Sequence, residues 1–127
     1  MSDWSKAHLG YVFLRTGDLD QAQGLWAYII SSFLEANILI GVIYTLEGFA
    51  SMSVALEQPE KAAKLIGWAD MMRKEINNLR WPTEDKNVDK DKSAIIEMIG
   101  EKAYEAAYAE GQALSTEQVI TLATSES

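Results

Sequence analysis

Apolar residues recur at helical spacing along nearly the whole chain, and no alternation of apolar and polar residues lasts more than a few positions. Trp4, Ala7, Tyr11 and Leu14 stand three or four apart, Val12 widens the stripe, and the pattern stops at Thr16-Gly17. This predicts a first helix over 3–15, ended by a glycine just past the last periodic residue. Asp18-Leu19-Asp20-Gln21 reads as an N-cap followed by a glutamine, and Ala22, Leu25, Trp26, Ile29, Ile30 and Phe33 carry the apolar face of a second helix. So short a turn between two helices makes them an antiparallel hairpin over 3–34.

A third helix is expected from about Asn37 to Leu56, through Ile38, Leu39, Val42, Ile43, Leu46, Phe49, Ala50 and Val54. It is apolar on more than one side, as a helix sandwiched between neighbours must be, and Gly41, Gly48 and Ser51 mark where another helix comes close. Pro59 suits a first helical turn, so a fourth helix follows from Pro59 to about Ile76 and completes a second hairpin over 37–77. Asn77 to Thr83 is the clearest break, with paired asparagines ahead of Pro82. Three C-terminal helices are expected over 83–125. One runs through Ala94, Ile95, Met98 and Ile99 to Gly100, one spans Glu101 to Leu114, and a short one opens on the capping box Ser115-Thr116-Glu117-Gln118. The fold class is all-α, in a single domain, with a core through Trp26, Leu39, Ile43, Leu46, Phe49, Ile66 and Ala69.

At 127 residues the chain is long enough to bury a core without metals or staples. It has no cysteine, which removes disulfides, thiolate metal sites and a cysteine nucleophile, and one histidine, His8, which removes any site needing two imidazoles. No cofactor is expected. A net charge of −8 repels phosphate backbones and anionic lipid headgroups, so direct nucleic-acid and membrane partners are not expected. The most apolar stretch, Asn37 to Leu46, is bounded by Glu35 and Glu47 and reaches about half the roughly 20 residues of a spanning helix. With no basic, apolar leader in view and no cysteine, a cytoplasmic location is expected.

The two hairpins repeat: Gly17-Asp18-Leu19-Asp20-Gln21-Ala22 recurs in kind as Glu57-Gln58-Pro59-Glu60-Lys61-Ala62, 40 residues later. Anchored on Ala22, the first resembles a tetratricopeptide repeat, with Leu9-Gly10 on its Leu-Gly pair, Phe13 on its tyrosine and Trp26 on its phenylalanine. Anchored on Ala62, the second is degenerate, with Phe49-Ala50 on that pair, Ser53 on the tyrosine and Ile66 on the phenylalanine. Its spacing exceeds the usual period of about 34. Tyr44 to Ala50, Pro59 to Ala69 and Ala106 to Ser115 also look like the C-terminal end of LuxR-type and related ATPase-linked bacterial regulators. The resemblance implies a TPR-like α-α superhelix that acts as a non-enzymatic protein–protein interaction module in a signalling or transcription regulator. Its partner would be another protein or the rest of a larger regulator. No Walker loop or helix-turn-helix is present. In the tetratricopeptide frame the first helix of each hairpin lines the concave surface, which places Trp4, Tyr11, Arg15, Tyr44, Glu47 and Ser51 toward a groove as candidate protein-binding residues. Packing is the alternative role for these residues, and Trp26 and Trp68 face their paired helices.

Two chemical constellations carry less. Asp85-Lys86-Asn87-Val88-Asp89-Lys90-Asp91 begins like a calcium loop, but Lys90 stands where glycine is needed and Ile96 where glutamate is needed, so a solvated, charged start to a helix is expected instead. His8 with Glu47 or Glu101 would be needed for a small carboxylate-dependent enzyme, and nothing in the sequence nominates a nucleophile. A structural cap on a longer solenoid is the remaining alternative. Helix one carries Trp4, Leu9, Tyr11, Val12, Phe13 and Leu14, more apolar surface than one neighbour covers; a homodimer through helices 1 and 2 or the C-terminal helices would cover the rest.

Overall fold

The computed structural model describes residues 2–125 and contains α1 (Asp3–Arg15), α2 (Leu19–Glu35), α3 (Leu39–Ala55), α4 (Pro59–Glu75), α5 (Pro82–Ile99), α6 (Glu101–Gln112) and α7 (Thr116–Thr124). No strand occurs among the described residues, and no described helix is long and apolar enough to cross a membrane. The expected bounds hold to within a residue or two. α5 begins at Pro82, so the charged run Asp85 to Lys92 forms the start of that helix, as expected.

The chain reverses by one device used four times. Gly17, Asn37, Glu57 and Asn77 all adopt positive φ, at 84°, 58°, 57° and 55°. After α1, the N–H of Gly17 bonds to the Leu14 carbonyl (3.2 Å) and that of Asp18 to the Phe13 carbonyl (2.8 Å), which is a Schellman ending. The same pair of bonds closes α2, α3 and α4. These residues stand 20 apart, and α2, α3 and α4 are each 17 residues long, so a helix with its three-residue turn is one 20-residue unit. Two units make the 40-residue hairpin seen in the sequence. Only Gly17 and the asparagines signal the turn, since Glu57 is a residue that rarely accepts this conformation.

The middle of the molecule is organised by one side chain. Trp26 of α2 is fully buried, and its indole N–H donates to the Ala7 carbonyl of α1 at 3.2 Å. Its ring lies in a slot between Gly10 of α1 and Gly48 of α3: a Cβ at Gly48 would meet the ring at 2.7 Å, and one at Gly10 would fall inside it. Gly41 and Gly48 of α3 thus admit the Phe33 and Trp26 rings of α2 rather than helix backbone. Backbone-to-backbone approach happens elsewhere, between α4 and α6, where Gly67 faces the Tyr108 carbonyl and Gly111 faces the Lys64 carbonyl. Of the expected core residues, Trp26, Ile43, Leu46, Phe49, Ile66 and Ala69 are buried. Leu39 is only partly buried, because it opens α3 at the edge of the stack.

α3 packs between α2 and α4, and α1 and α5 lie on either side of its remaining face. α6 runs along α4, and α7 closes the opposite end against α2, α3 and α4. Of the C-terminal helices, α5 forms a wall of the groove on α3.

Candidate functional site

The groove has α1 and α5 as walls and α3 as floor. Its wider part, about 230 Å³, is lined by His8, Tyr11, Val12 and Arg15 from α1, by Tyr44, Glu47 and Ser51 from α3, and by Glu84, Asn87 and Val88 from α5. A second part of about 210 Å³ shares His8, Tyr44 and Glu84 and extends over Trp4, Ile40, Leu79 and Trp81. Five of the six candidate residues therefore meet in one cleft, and Trp4 lies in its extension.

They are not equally free. The Tyr11 hydroxyl donates to the Tyr44 carbonyl at 2.9 Å, and the Tyr44 hydroxyl lies 3.0 Å from His8 Nδ1. Burial, reinforced by Glu47, pushes the Tyr11 hydroxyl well above its ordinary value. Tyr44 is pushed up to about 12, by burial first and then by Glu84 and Glu47, with Arg15 opposing. Both phenols stay protonated and polar at neutral pH, on rings that tile the groove at a 5.0 Å centroid separation. The Ser51 hydroxyl donates to Asp91 Oδ2 of α5; burial raises the Asp91 carboxyl, and this bond and Lys90 offset part of the effect. Arg15 is exposed and makes no ion pair among the described residues.

Glu47 departs from expectation. It touches the cleft floor, but it is 6% exposed and its carboxylate belongs to an internal network. Arg73 of α4 grips it with two bonds, Nε to Oε2 at 3.0 Å and Nη2 to Oε1 at 2.7 Å, a bidentate pairing that a guanidinium makes and an ammonium cannot. Arg80, from the segment between α4 and α5, bonds to both Glu47 and Asp70. Asp70 also accepts from Lys92 of α5 (2.9 Å) and from the Tyr108 hydroxyl of α6 (2.7 Å). Burial alone would raise the Asp70 carboxyl, but those bonds and the Arg80 charge outweigh it and hold the group low. No buried side-chain nitrogen or oxygen among the described residues lacks a partner. The network joins α3, α4, α5 and α6 and pins the segment 76–81 through Arg80. That segment in turn presents Leu79 and Trp81, 85% and 76% exposed, at the mouth of the groove.

The sequence reading missed the network and the α5 wall. A signal existed for the first: on α4, Ala62, Ile66 and Ala69 are followed in phase by Arg73, a charge on a buried stripe that demands a buried counter-charge. Glu47 of α3, next to the core residue Leu46, is that counter-charge.

With both Glu47 oxygens held by guanidinium groups, this carboxylate is not available to His8 as a base, and Glu101 is exposed on α6, which contributes nothing to the cleft. Among the described residues no cluster of three His, Asp or Glu could hold a metal ion. In a helical α5, Asn87 points away from the face that Asp85 and Asp89 share, and the run is helix rather than a calcium loop. The groove presents aromatic faces, short polar groups, Arg15 with no ion pair among the described residues, and exposed apolar residues at one end. Half of the apolar surplus of α1 is used internally, since Tyr11, Phe13 and Leu14 pack on the core. Trp4 and Val12, 38% and 41% exposed, line the groove. Comparison with protein-family models, with curated proteins and with solved structures found no match.

Proposed function

We propose that this chain is a TPR-like helical-repeat module whose groove on α3 docks a segment of a partner protein, in the manner of the tetratricopeptide arrays that close ATPase-linked bacterial regulators. The observation that carries this reading is the pair Leu79 and Trp81, held out at the mouth of a groove by a buried charge network. Large apolar residues left open on a folded domain mark interaction sites, and tryptophan is among the commonest anchors of protein interfaces. The 40-residue hairpin repeat and the shared groove of α1, α3 and α5 support the superhelical description.

The test is affinity capture from the native cell, comparing the wild-type chain with Trp81→Glu and Val12→Glu, two exposed positions on opposite rims of the groove. Partners are expected to be lost from both variants and kept by Gly24→Ala on the exposed side of α2. A partner retained by both rim variants would refute docking in this groove.

A further inference from the structure

The end of the groove walled by Trp4, Tyr44 and Trp81 has a composition of its own. Three aromatic rings and the Glu84 carboxylate line the same space of about 210 Å³. Trp4 and Tyr44 are tilted at 51° with centroids 5.9 Å apart; Trp4 also packs on Phe33 and Tyr44 on Tyr11, each at 5.0 Å, while Trp4 keeps 38% exposure and Trp81 76%. Glu84 accepts no hydrogen bond among the described residues. Its nearest cation, Arg73 Nη2, lies 3.7 Å away, beyond hydrogen-bonding distance, and that guanidinium is already committed to Glu47 and Asn78. The Glu84 side chain keeps 35% exposure. Arg73 and His8 also touch this space, but the Arg73 charge is matched by the bidentate Glu47. At the Tyr44 hydroxyl Glu84 acts more strongly than any other charge, ahead of Glu47 and the opposing Arg15.

Aromatic faces joined by a carboxylate with spare acceptor capacity attract cations, through the ring quadrupoles and through direct charge. We infer that this end of the groove receives an arginine or lysine side chain of the docked segment, with Trp4, Tyr44 and Trp81 around its stem and Glu84 at its charged head. The inference rests on the groove being a docking surface and adds the chemistry of the partner: a segment with a cationic side chain beside apolar ones. The chain's net charge of −8 favours such a segment on approach. Arg15, at the far end of the groove, keeps the cation in one register.

The experiment uses the full chain as bait for a displayed library of random 12-residue peptides. Enriched sequences are expected to carry arginine or lysine next to apolar residues. A synthetic, fluorescein-labelled copy of one of them should lose about five- to thirtyfold in affinity, by fluorescence anisotropy, with Trp81→Ala, with Glu84→Gln, or when its own cation is replaced by glutamine. Trp81 is exposed and Glu84 half-buried, and the urea midpoints of both variants check that the fold is intact. Peptides that bind the groove, as shown by their loss with Val12→Glu, but carry no cation would overturn the cation assignment and leave docking standing. Enrichment that ignores Val12→Glu, Trp81→Ala and Glu84→Gln alike would overturn docking, and the cation assignment with it.

Discussion

Adding one methyl group to Gly48 tests the internal architecture, because two opposed effects of similar size are at stake. Glycine inside a helix is about 1 kcal/mol worse than alanine, so Gly48→Ala on an exposed helix would stabilise. Here the new Cβ would stand 2.7, 2.8 and 3.0 Å from three atoms of the Trp26 ring. That ring cannot retreat freely: it is fully buried, it is edge-on to Tyr11 and packed on Phe49, and its N–H is tied to the Ala7 carbonyl. Overpacking of this kind costs about 1–3 kcal/mol. If the ring moves far enough to break its hydrogen bond, a buried donor is orphaned for about 1–3 kcal/mol more. The net expectation is a loss of about 1–3 kcal/mol. Gly24 is the internal control, since it is also helical but a Cβ there meets nothing within 4 Å. Gly24→Ala should gain about 0.5–1 kcal/mol. Urea unfolding followed by circular dichroism reads both, with midpoint shifts of opposite sign. A Gly48→Ala midpoint equal to or above wild type would refute the slot.

Arg80→Met keeps most of the side-chain volume but strips one guanidinium from Glu47 and Asp70, which retain Arg73 and Lys92. Breaking a buried pair outright costs about 3–5 kcal/mol, so about 2–3 kcal/mol is expected here by urea unfolding, with faster amide exchange over 76–81; a change below about 0.5 kcal/mol would contradict the network's role. Glu57→Gly relieves a left-handed residue worth about 1–2 kcal/mol and gives part of that back as unfolded-chain entropy, so stability should rise by about 0.5–1 kcal/mol; a fall would contradict it. Tyr44 has an ordinary value of 10.0 and is raised to about 12 by folding, chiefly through burial. Its contribution is therefore whole below pH 10 and lost as pH rises through 12, so Tyr44→Phe should unfold less steeply than wild type across that window, and identical pH slopes would contradict this.

Most of the fold was legible because helical period, caps and breakers agree along the chain. The 40-residue repeat was visible as Gly17-to-Ala22 against Glu57-to-Ala62, yet its cause, four identical turns at 20-residue spacing, was not, because Glu57 carries no turn signature. Five of the six candidate residues share one cleft because helical phase alone places the exposed sides of α1 and α3 together. Phase does not say which charged groups will find partners. Helical phase turns Glu47 toward the groove, but Arg73 and Arg80 approach from beyond its helix and take its carboxylate inward. Tertiary pairing likewise decides the groove's second wall: the charged run of α5 has no apolar stripe strong enough to announce where it packs, and only Val88 and Ile95 of that helix are buried.

The central claim, that the groove between α1 and α5 is where this chain meets its partner, is tested most directly by amide chemical-shift mapping. The ¹⁵N-labelled chain would be titrated with the partner recovered by capture, or with the segment of it that binds. Shifts should concentrate on His8, Tyr44, Leu79, Trp81, Glu84 and Asn87 and saturate together. Shifts confined to the outer faces of α2, α6 or α7, with those residues unmoved, would contradict the account.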